Sequence, residues 1–432
     1  MKTKILYKIK DIRNKILENR SFNLKLKFLT LLLFLMSGSV SSQSLQDYLT
    51  IASKNNPEVK SAYAKFEAAL QKSPQVSSLP DPTLTVSAFG SMIETRIGSQ
   101  EARFSFMQMF PWFGTLGAKE NAANLMAEAM FQNYVDTKNE VVFNVKKVYA
   151  ELFELQRMIT LEEENLTILN SYRELSLSKF KNGKGAMVDV VRIDIKRNES
   201  TTNIQILKNR IDPLQVAFNA LLNRNSATDI AYPTELPKAS VAILVKTDSL
   251  FSNNPKLVQL DRQKEAYEAQ KMVAIKEGYP KIGLGLDYSI IAKRDVPDLA
   301  MNGQDAIMPM LSVTLPIFRK KYKAAQKEAE YMITATEEKK AAVTNNLRTN
   351  YSSAQYDVSK STDLLNLFDT QVKSTKQAIA LLIASYSNSG SDFIEILRMN
   401  QDVLMYEKAT AAEVKNQFTA QAKLDYLLSK ND

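Results

Sequence analysis

Cysteine and histidine are both absent from the 432 residues of this chain. Without them the chain has no disulfide framework, no thiolate nucleophile, no imidazole base and no zinc site of the usual ligand types. No cysteine is present to carry an N-terminal lipid. The sequence therefore predicts a protein that is not an enzyme, with no catalytic residue, metal ligand or cofactor.

The sequence also lacks a long hydrophobic run, because its most apolar stretch, Phe28–Met36, is too short to span a bilayer as a helix. Nine Lys or Arg residues precede this stretch, and small residues follow it at 37–42. A basic region, an apolar region and then a stretch of small residues are typical of a secretory signal peptide. We therefore expect residues 1–42 to be a signal peptide.

The excess of positive charge belongs mostly to this leader. The whole chain has 56 Lys and Arg against 47 Asp and Glu, a net charge of +9. After residue 42, 47 basic and 45 acidic residues remain, so the net charge falls to +2. Acidic runs such as Glu162–Glu164 fall in helical sequence, where they indicate a solvated helix face. Nothing in this balance indicates a nucleic-acid partner.

The most informative pattern is an internal repeat. Asn-Asn-Pro at 55–57 returns at 253–255, which is 198 residues later. An aromatic residue, a polar residue and Asn at 180–182 return at 386–388, which is 206 residues later. The shared features keep their order, so we predict that one structural unit occurs twice in the chain. The predicted bounds are 44–224 for the first copy, 225–247 for an equatorial segment between the copies, and 248–430 for the second copy.

Each copy is predicted to contain a helix, a β-hairpin and two long helices. Apolar residues alternate with polar or small ones at 282–290, and a second set at 307–315 alternates with Met308, Met310, Ser312 and Thr314. This period of two indicates strands. Segments of about ten residues have the length of a tilted strand that crosses a bilayer. A soluble sandwich or hairpin has the same period, so periodicity alone leaves that alternative open. The predicted hairpins span 82–111 and 280–316, with loops near Gly90–Gln100 and Ala292–Asp305.

The long helices are predicted from about Lys119 to Lys181 and from about Lys321 to Ser387, where the sequence has no proline or glycine. Apolar or small residues recur there at spacings of three and four, which is the seam of a coiled coil. Some sixty residues make a rod roughly 90–100 Å long. In each copy a tight turn, near 182–186 and near 388–391, joins the rod to a second helix.

Four membrane-type strands cannot close into a barrel on their own. An open sheet edge in hydrocarbon leaves backbone groups unsatisfied at several kcal/mol each. Three chains of four strands each supply twelve, and about twelve strands are enough to leave a polar lumen. The predicted fold class is therefore mixed α and β. Duplicated long-helix hairpins form an α-barrel, and four transmembrane β-strands per chain complete a 12-stranded barrel in a homotrimer.

With its repeated tip at 180–191 and 386–397, the sequence resembles the TolC family of outer-membrane efflux proteins, and the resemblance covers nearly all of the chain after the leader. The tip of that family has an aromatic residue, a glycine three positions on, then an acidic residue and a hydrophobic pair. The run Met109–Gly114 is similar to the sequence found at this place in the branch of the family that accompanies heavy-metal or cation pumps. The tip is matched by Phe180, Gly183, Asp189, Val190 and Val191, and again by Tyr386, Glu395, Ile396 and Leu397, with Ser389 where the family usually has glycine.

The resemblance implies an exit duct of a tripartite efflux system, which lets small molecules or ions pass passively from the periplasm to the exterior. It implies a homotrimer in the bacterial outer membrane, with a β-barrel in contact with lipid and a large periplasmic α-barrel. The implied partners are a periplasmic adaptor protein and an inner-membrane efflux pump of the RND type.

The resemblance and the repeat together suggest three groups of site residues. The candidate pore entrance and gate consists of Glu395, Asp189, Arg398 and Arg192. The candidate adaptor-docking tips consist of Phe180, Asn182, Gly183, Gly185, Tyr386, Asn388, Gly390 and Ser391. The candidate membrane-interface girdle consists of Phe110, Trp112, Phe113 and Phe318, since aromatic residues gather where strands leave a bilayer.

The candidate gate departs from the family pattern and leaves an alternative open. Arg398 and Arg192 stand near positions where some relatives carry a second acidic residue, and Ser391 stands where the best-known relative has a gate-locking Arg. In a trimer, three copies of Glu395 would form a ring that attracts cations. The alternative is an exposed ion pair between Glu395 and Arg398, three residues apart on one helix.

Two other functions fit parts of the sequence. A secreted or periplasmic coiled-coil structural protein or adhesin would account for the rods, but not for the duplicated alternation or the aromatic girdle. A glycosidase with paired carboxylates would need convergent acids in a cleft, whereas the acids here are spread along helices.

Overall fold

A computed structural model describes residues 44–237, 251–389 and 393–430. From Leu45 onward the chain forms one unit. The predicted signal peptide at 1–42 lies outside the described residues. So do Gly390 and Ser391 of the second predicted tip and residues 238–247 of the predicted equatorial segment. No helix within the described ranges is long and apolar enough to cross a membrane.

The described residues form the same order of elements before and after residue 250: helix, β-hairpin, very long helix and shorter helix. The first half contains α1 Leu45–Asn55, α2 Pro57–Leu70, α3 Lys72–Ser77, β1 Thr83–Thr95, β2 Gly98–Phe110, α4 Thr115–Lys181, α5 Met187–Asn209 and α6 Ile211–Leu221. The second half contains α7 Pro255–Glu277, β3 Lys281–Ile291, β4 Ala306–Thr314, α8 Lys320–Ser389 and α9 Phe393–Leu427.

The repeated Asn-Asn-Pro sequence starts a helix in both halves by the same contacts. Asn56 caps α2, because its side-chain oxygen accepts a hydrogen bond from the backbone N–H of Glu58 at 2.8 Å. Its amide group donates to the carbonyl of Leu221 at 2.9 Å. Asn254 caps α7 in the same way through Lys256 at 3.0 Å, and its amide donates to Leu427 at 2.9 Å. A buried cap that also holds the end of a distant helix explains why both copies need asparagine here.

The four described strands form one antiparallel sheet in the order β1-β2-β3-β4. The second hairpin has its loop at 292–305, between the bounds of β3 and β4. The loop of the first hairpin lies inside the predicted range Gly90–Gln100 but is much shorter, because β1 continues to Thr95 and only residues 96–97 separate it from β2. The register of β1 against β2 shifts between Ala88 and Ile93, and this irregularity breaks the period-two pattern without ending the strand.

The long helices α4 and α8 have 67 and 70 residues, so each is about 100 Å long. The helix α9 packs along α8, and α4 packs against α7, α5 and α9. Separate apolar clusters lie along these rods. One is centred on Tyr48 and Phe218, a second on Tyr351 and Leu424, and a third lies where α4 and α8 end. A rod of this length is stabilised by side-by-side packing rather than by one central core.

Candidate functional site

One face of the sheet is apolar and exposed. The register places residues of the four strands in rows on this face, for example Leu84, Phe106 and Leu286 in one row. The most exposed members are Leu311 at 71%, Ile307 at 66% and Leu84 at 64%. The other large exposed members of this face are Val86, Phe104, Leu284, Tyr288 and Val313. Such a continuous apolar surface requires a covering partner or a lipid environment.

The opposite face of the sheet is mostly polar or small. Asp287 on β3 is buried there and is bound by two residues of β2, the Arg103 guanidinium and the Ser105 hydroxyl. One pair further along β3, Ser289 accepts a hydrogen bond from Gln100 at 2.6 Å. These contacts fix the register of β2 against β3 from the polar side, because a slip by one residue would place Asp287 on the apolar face.

The end of the sheet nearest the helices carries the predicted aromatic girdle. Phe113 and Phe318 are each 80% exposed. Trp112 is half-buried, and its ring stacks on Tyr279 at 5.5 Å. Phe110 ends β2 and is half-buried. Exposed aromatic rings at one end of an apolar sheet face have the placement that a membrane interface favours.

The first predicted tip is a tight turn between α4 and α5. Gly183 has a φ of +70°, and the backbone N–H groups of Gly183 and Lys184 donate to the carbonyls of Phe180 and Lys179 at 3.0 and 2.9 Å. This is the Schellman end of a helix, in which the left-handed residue is usually glycine. Phe180 and Asn182 are exposed, and Gly185 lies against the backbone of Phe180.

The second predicted tip lies close to the first. Tyr386 is buried in a cluster with Tyr172, Ile193 and Phe393, and the Lys179 ammonium binds its carbonyl and lies 4.1 Å from its ring centroid. Asn388 falls within α8, beside the residues that the structure does not describe. On α5, Val188, Val191 and Ile195 form an exposed apolar stripe that adjoins this cluster. Of these residues only Val191 was named from the sequence, as part of the tip motif, whereas Val188, Ile195 and Lys179 were not.

The four candidate gate residues form two pairs, one in each half. Arg398 donates to Glu395 at 2.6 Å, and the hydrogen bond raises the pKa of the arginine. Arg192 lies 3.6 Å from Asp189. Glu395 is 36% exposed and Asp189 is 16% exposed, so Glu395 is the more open of the two acids. Each acid is therefore balanced by an arginine three residues further along its own helix.

A buried polar network lies further along the rods, and sequence reasoning missed it. Glu162 on α4 is only 1% exposed, which contradicts the interpretation of Glu162–Glu164 as a solvated face for its first residue. Its carboxylate pairs with Lys408 of α9 and accepts hydrogen bonds from Ser200 at 2.8 Å and Asn203 at 3.1 Å on α5. Glu162 lies on the side of α4 that packs against α5 and α9, whereas Glu163 and Glu164 are exposed. The network joins three helices.

A second buried group lies near the C-terminal end of α9. Tyr426 donates to Asp136 at 3.0 Å, and Lys256 lies 3.6 Å from the same carboxylate. Burial raises the pKa of Asp136, although Lys256 and Tyr426 lower it in part. Burial also raises the pKa of Tyr426 and lowers the pKa of Lys423. Among the described residues, no three acidic side chains are grouped as a metal site would require.

No protein-family model matches the sequence, and no curated protein matches it. Solved structures do match the fold. The outer membrane protein VceC of Vibrio cholerae is 17% identical, with a TM-score of 0.71 over 89% of this chain and 95% of VceC. CusC, described in terms of transmembrane channel formation, is 14% identical, with a TM-score of 0.76 over 90% and 92% of the two chains. The MtrE outer membrane channel of Neisseria gonorrhoeae, in its open state, is 16% identical, with a TM-score of 0.67 over 89% of each chain.

The chain therefore has the fold of these outer-membrane channels, and the resemblance predicted from the sequence is confirmed at the level of the fold. The predicted combination of long helices with a four-stranded antiparallel sheet is confirmed as well. The trimer, the closed 12-stranded barrel and the bounds of the two copies stay predictions.

Proposed function

We propose that this chain is one protomer of a channel through the bacterial outer membrane, the exit duct of a tripartite efflux system. Three copies would join their sheets edge to edge into one 12-stranded barrel. The long helices of each copy would continue that barrel into the periplasm. Small molecules or ions would pass through it without a chemical step.

The exposed apolar face of the sheet carries this proposal. A soluble protein with a face of this kind would aggregate, whereas lipid covers it at no cost. The polar face, with Asp287 and Arg103, then lines the inside. The strands β1 and β4 each have one neighbour among the described strands, and a second copy would pair with each of them.

The two tips support docking to a periplasmic adaptor, which would connect the duct to an inner-membrane pump of the RND type. Both helix pairs end close together, and the stripe Val188, Val191 and Ile195 offers apolar anchors at helical spacing. A secreted coiled-coil protein remains the alternative. That alternative would account for the long helices, but it would not account for the exposed apolar face of the sheet.

A charge placed on either face of the sheet tests the proposal. Leu284 and Leu311 are cross-strand partners on the apolar face, and Ser312 follows Leu311 on the polar face. Each arginine facing mid-bilayer lipid costs about 2–4 kcal/mol. We expect Leu284→Arg/Leu311→Arg to abolish insertion into the outer membrane and conductance in planar bilayers, and Ser312→Arg to keep both.

Membrane fractionation and bilayer recording of the same three proteins would decide the result. The proposal is wrong if the wild type is recovered in soluble fractions and forms no conducting species. Equal behaviour of the two arginine variants would show that the apolar face does not meet lipid.

A further inference from the structure

A run of basic residues follows the last strand directly. Residues 319–323 read Arg-Lys-Lys-Tyr-Lys, and the first acidic residue after β4 is Glu328. Arg319, Lys320, Lys321 and Lys323 are all exposed. The corresponding junction after β2, from Gly114 to Lys119, has a single basic residue. The two copies of the repeat therefore differ in charge at the same end of the sheet.

Among the described residues, contacts tie only Arg319 to another element, while Lys321 lies 4.8 Å from the ring centroid of its neighbour Tyr322. Arg319 donates to the carbonyl of Gly278 at 2.6 Å and so ties the junction to the end of α7. Lys320, Lys321 and Lys323 have no carboxylate partner among the described residues. Helix stability does not explain them either, because they occupy the first turn of α8, where the helix dipole disfavours positive charge.

The basic run adjoins a group of highly exposed apolar side chains. Leu315 and Ile317 are each 71% exposed, and Phe318 is 80% exposed. On the neighbouring junction, Trp112 stacks on Tyr279, the residue that follows the Gly278 bound by Arg319. Apolar side chains and lysines side by side match a lipid, whose acyl chains lie next to a charged headgroup.

We propose that Lys320, Lys321 and Lys323, together with Phe318, bind the headgroups of anionic phospholipids in the periplasmic leaflet. This proposal rests on the proposed function, since it requires the sheet to lie in the membrane. Three lysines in one helical turn, none with a carboxylate partner in the described part of the chain, favour a lipid with a net negative charge over a zwitterionic one. The lysine stems would lie along the acyl chains while the ammonium groups reach the phosphates.

The chain has one tryptophan, Trp112, and it lies beside the proposed surface. The full-length mature protein is reconstituted into phosphatidylethanolamine vesicles that contain brominated phosphatidylglycerol or brominated phosphatidylethanolamine. Quenching of Trp112 then gives the relative binding constant of the two lipids near this junction. We expect phosphatidylglycerol to bind about fivefold or more tightly than phosphatidylethanolamine. In Lys320→Gln/Lys321→Gln/Lys323→Gln the ratio should fall to about one.

The matched control is Lys60→Gln/Lys339→Gln/Lys360→Gln, which removes the same number of positive charges. Lys60 is an exposed residue of α2, and Lys339 and Lys360 are exposed residues of α8 that lie far from its first turn. This control should keep the preference for phosphatidylglycerol. The inference is overturned if both lipids quench the wild type equally, or if the control loses the preference as the first variant does. Absence of quenching by either lipid would instead show that Trp112 does not meet acyl chains, and the proposed function would fail with it.

Discussion

Two neighbouring glutamates on α4 differ sharply in surroundings, and the difference makes a prediction. Glu162 is buried against Lys408, Ser200 and Asn203, whereas Glu163 is half exposed and pairs with Lys208 at 2.8 Å. Removing one partner of a buried ion pair costs about 3 kcal/mol, and an exposed pair is worth about 0.5 kcal/mol. We expect Glu162→Gln to lower the unfolding temperature clearly and Glu163→Gln to leave it nearly unchanged, as measured in detergent. Similar shifts for both variants would contradict the network.

Asp136 should make stability depend on pH. Its pKa in the folded chain is raised by burial, so the unfolded chain ionises first as the pH rises. Stability from this group is fully present below the ordinary carboxyl pKa and is lost as the pH rises through the raised value. We expect Asp136→Asn to remove this loss, so that its unfolding temperature falls less than that of the wild type between about pH 4 and pH 7.

Asp194 provides a control of opposite sign. Its hydrogen bond from Arg173 at 2.7 Å lowers its pKa, so its contribution is present at neutral pH and is lost as the pH falls through the lowered value. Asp194→Asn should therefore flatten the acidic side of the profile. An Asp136→Asn profile parallel to that of the wild type would show that the carboxylate is solvated in the folded protein.

At the scale of elements, the end of α4 depends on one glycine. Gly183 has a φ of +70°, where any other L-residue is strained by about 1 kcal/mol or more. Gly117 lies in the same helix with open space around it, and alanine there should stabilise the helix by about 0.5–1 kcal/mol. We expect Gly183→Ala and Gly117→Ala to shift the unfolding temperature in opposite directions. A stabilising Gly183→Ala would show that the turn does not need the left-handed residue.

The long helices and the strands β2, β3 and β4 could be predicted from the sequence, because their signals are local. Period two marks β3 and β4, and the absence of proline and glycine marks α4 and α8. The full length of β1 could not be predicted, because hydrogen bonds to β2 hold Ile93–Thr95 in a strand although the alternation is broken. The burial of Glu162 could not be predicted either, since it depends on α5 and α9, which are distant in sequence.

At the scale of the whole molecule, the two halves repeat their contacts as well as their elements. Asn56 and Asn254 each hold the last residues of the final helix in their own half, through Leu221 and Leu427. Both halves also place an acid and an arginine in the first turns of the helix that follows the tip. A duplication would account for this agreement. The difference between the halves, such as the basic run after β4, then marks where one copy acquired a role that the other lacks.

The pairing of Glu395 with Arg398 determines which ions the pore entrance of a trimer would favour. In a trimer these residues would form a ring of three carboxylates, each balanced by an arginine at 2.6 Å. Removing one member of each pair should expose the other charge to passing ions. We therefore expect Glu395→Gln to lower the cation preference in single-channel recording, Arg398→Gln to raise it, and the double variant to return close to wild type. If both single variants keep the wild-type selectivity, the pair lies on the outer surface and the entrance is formed by other residues.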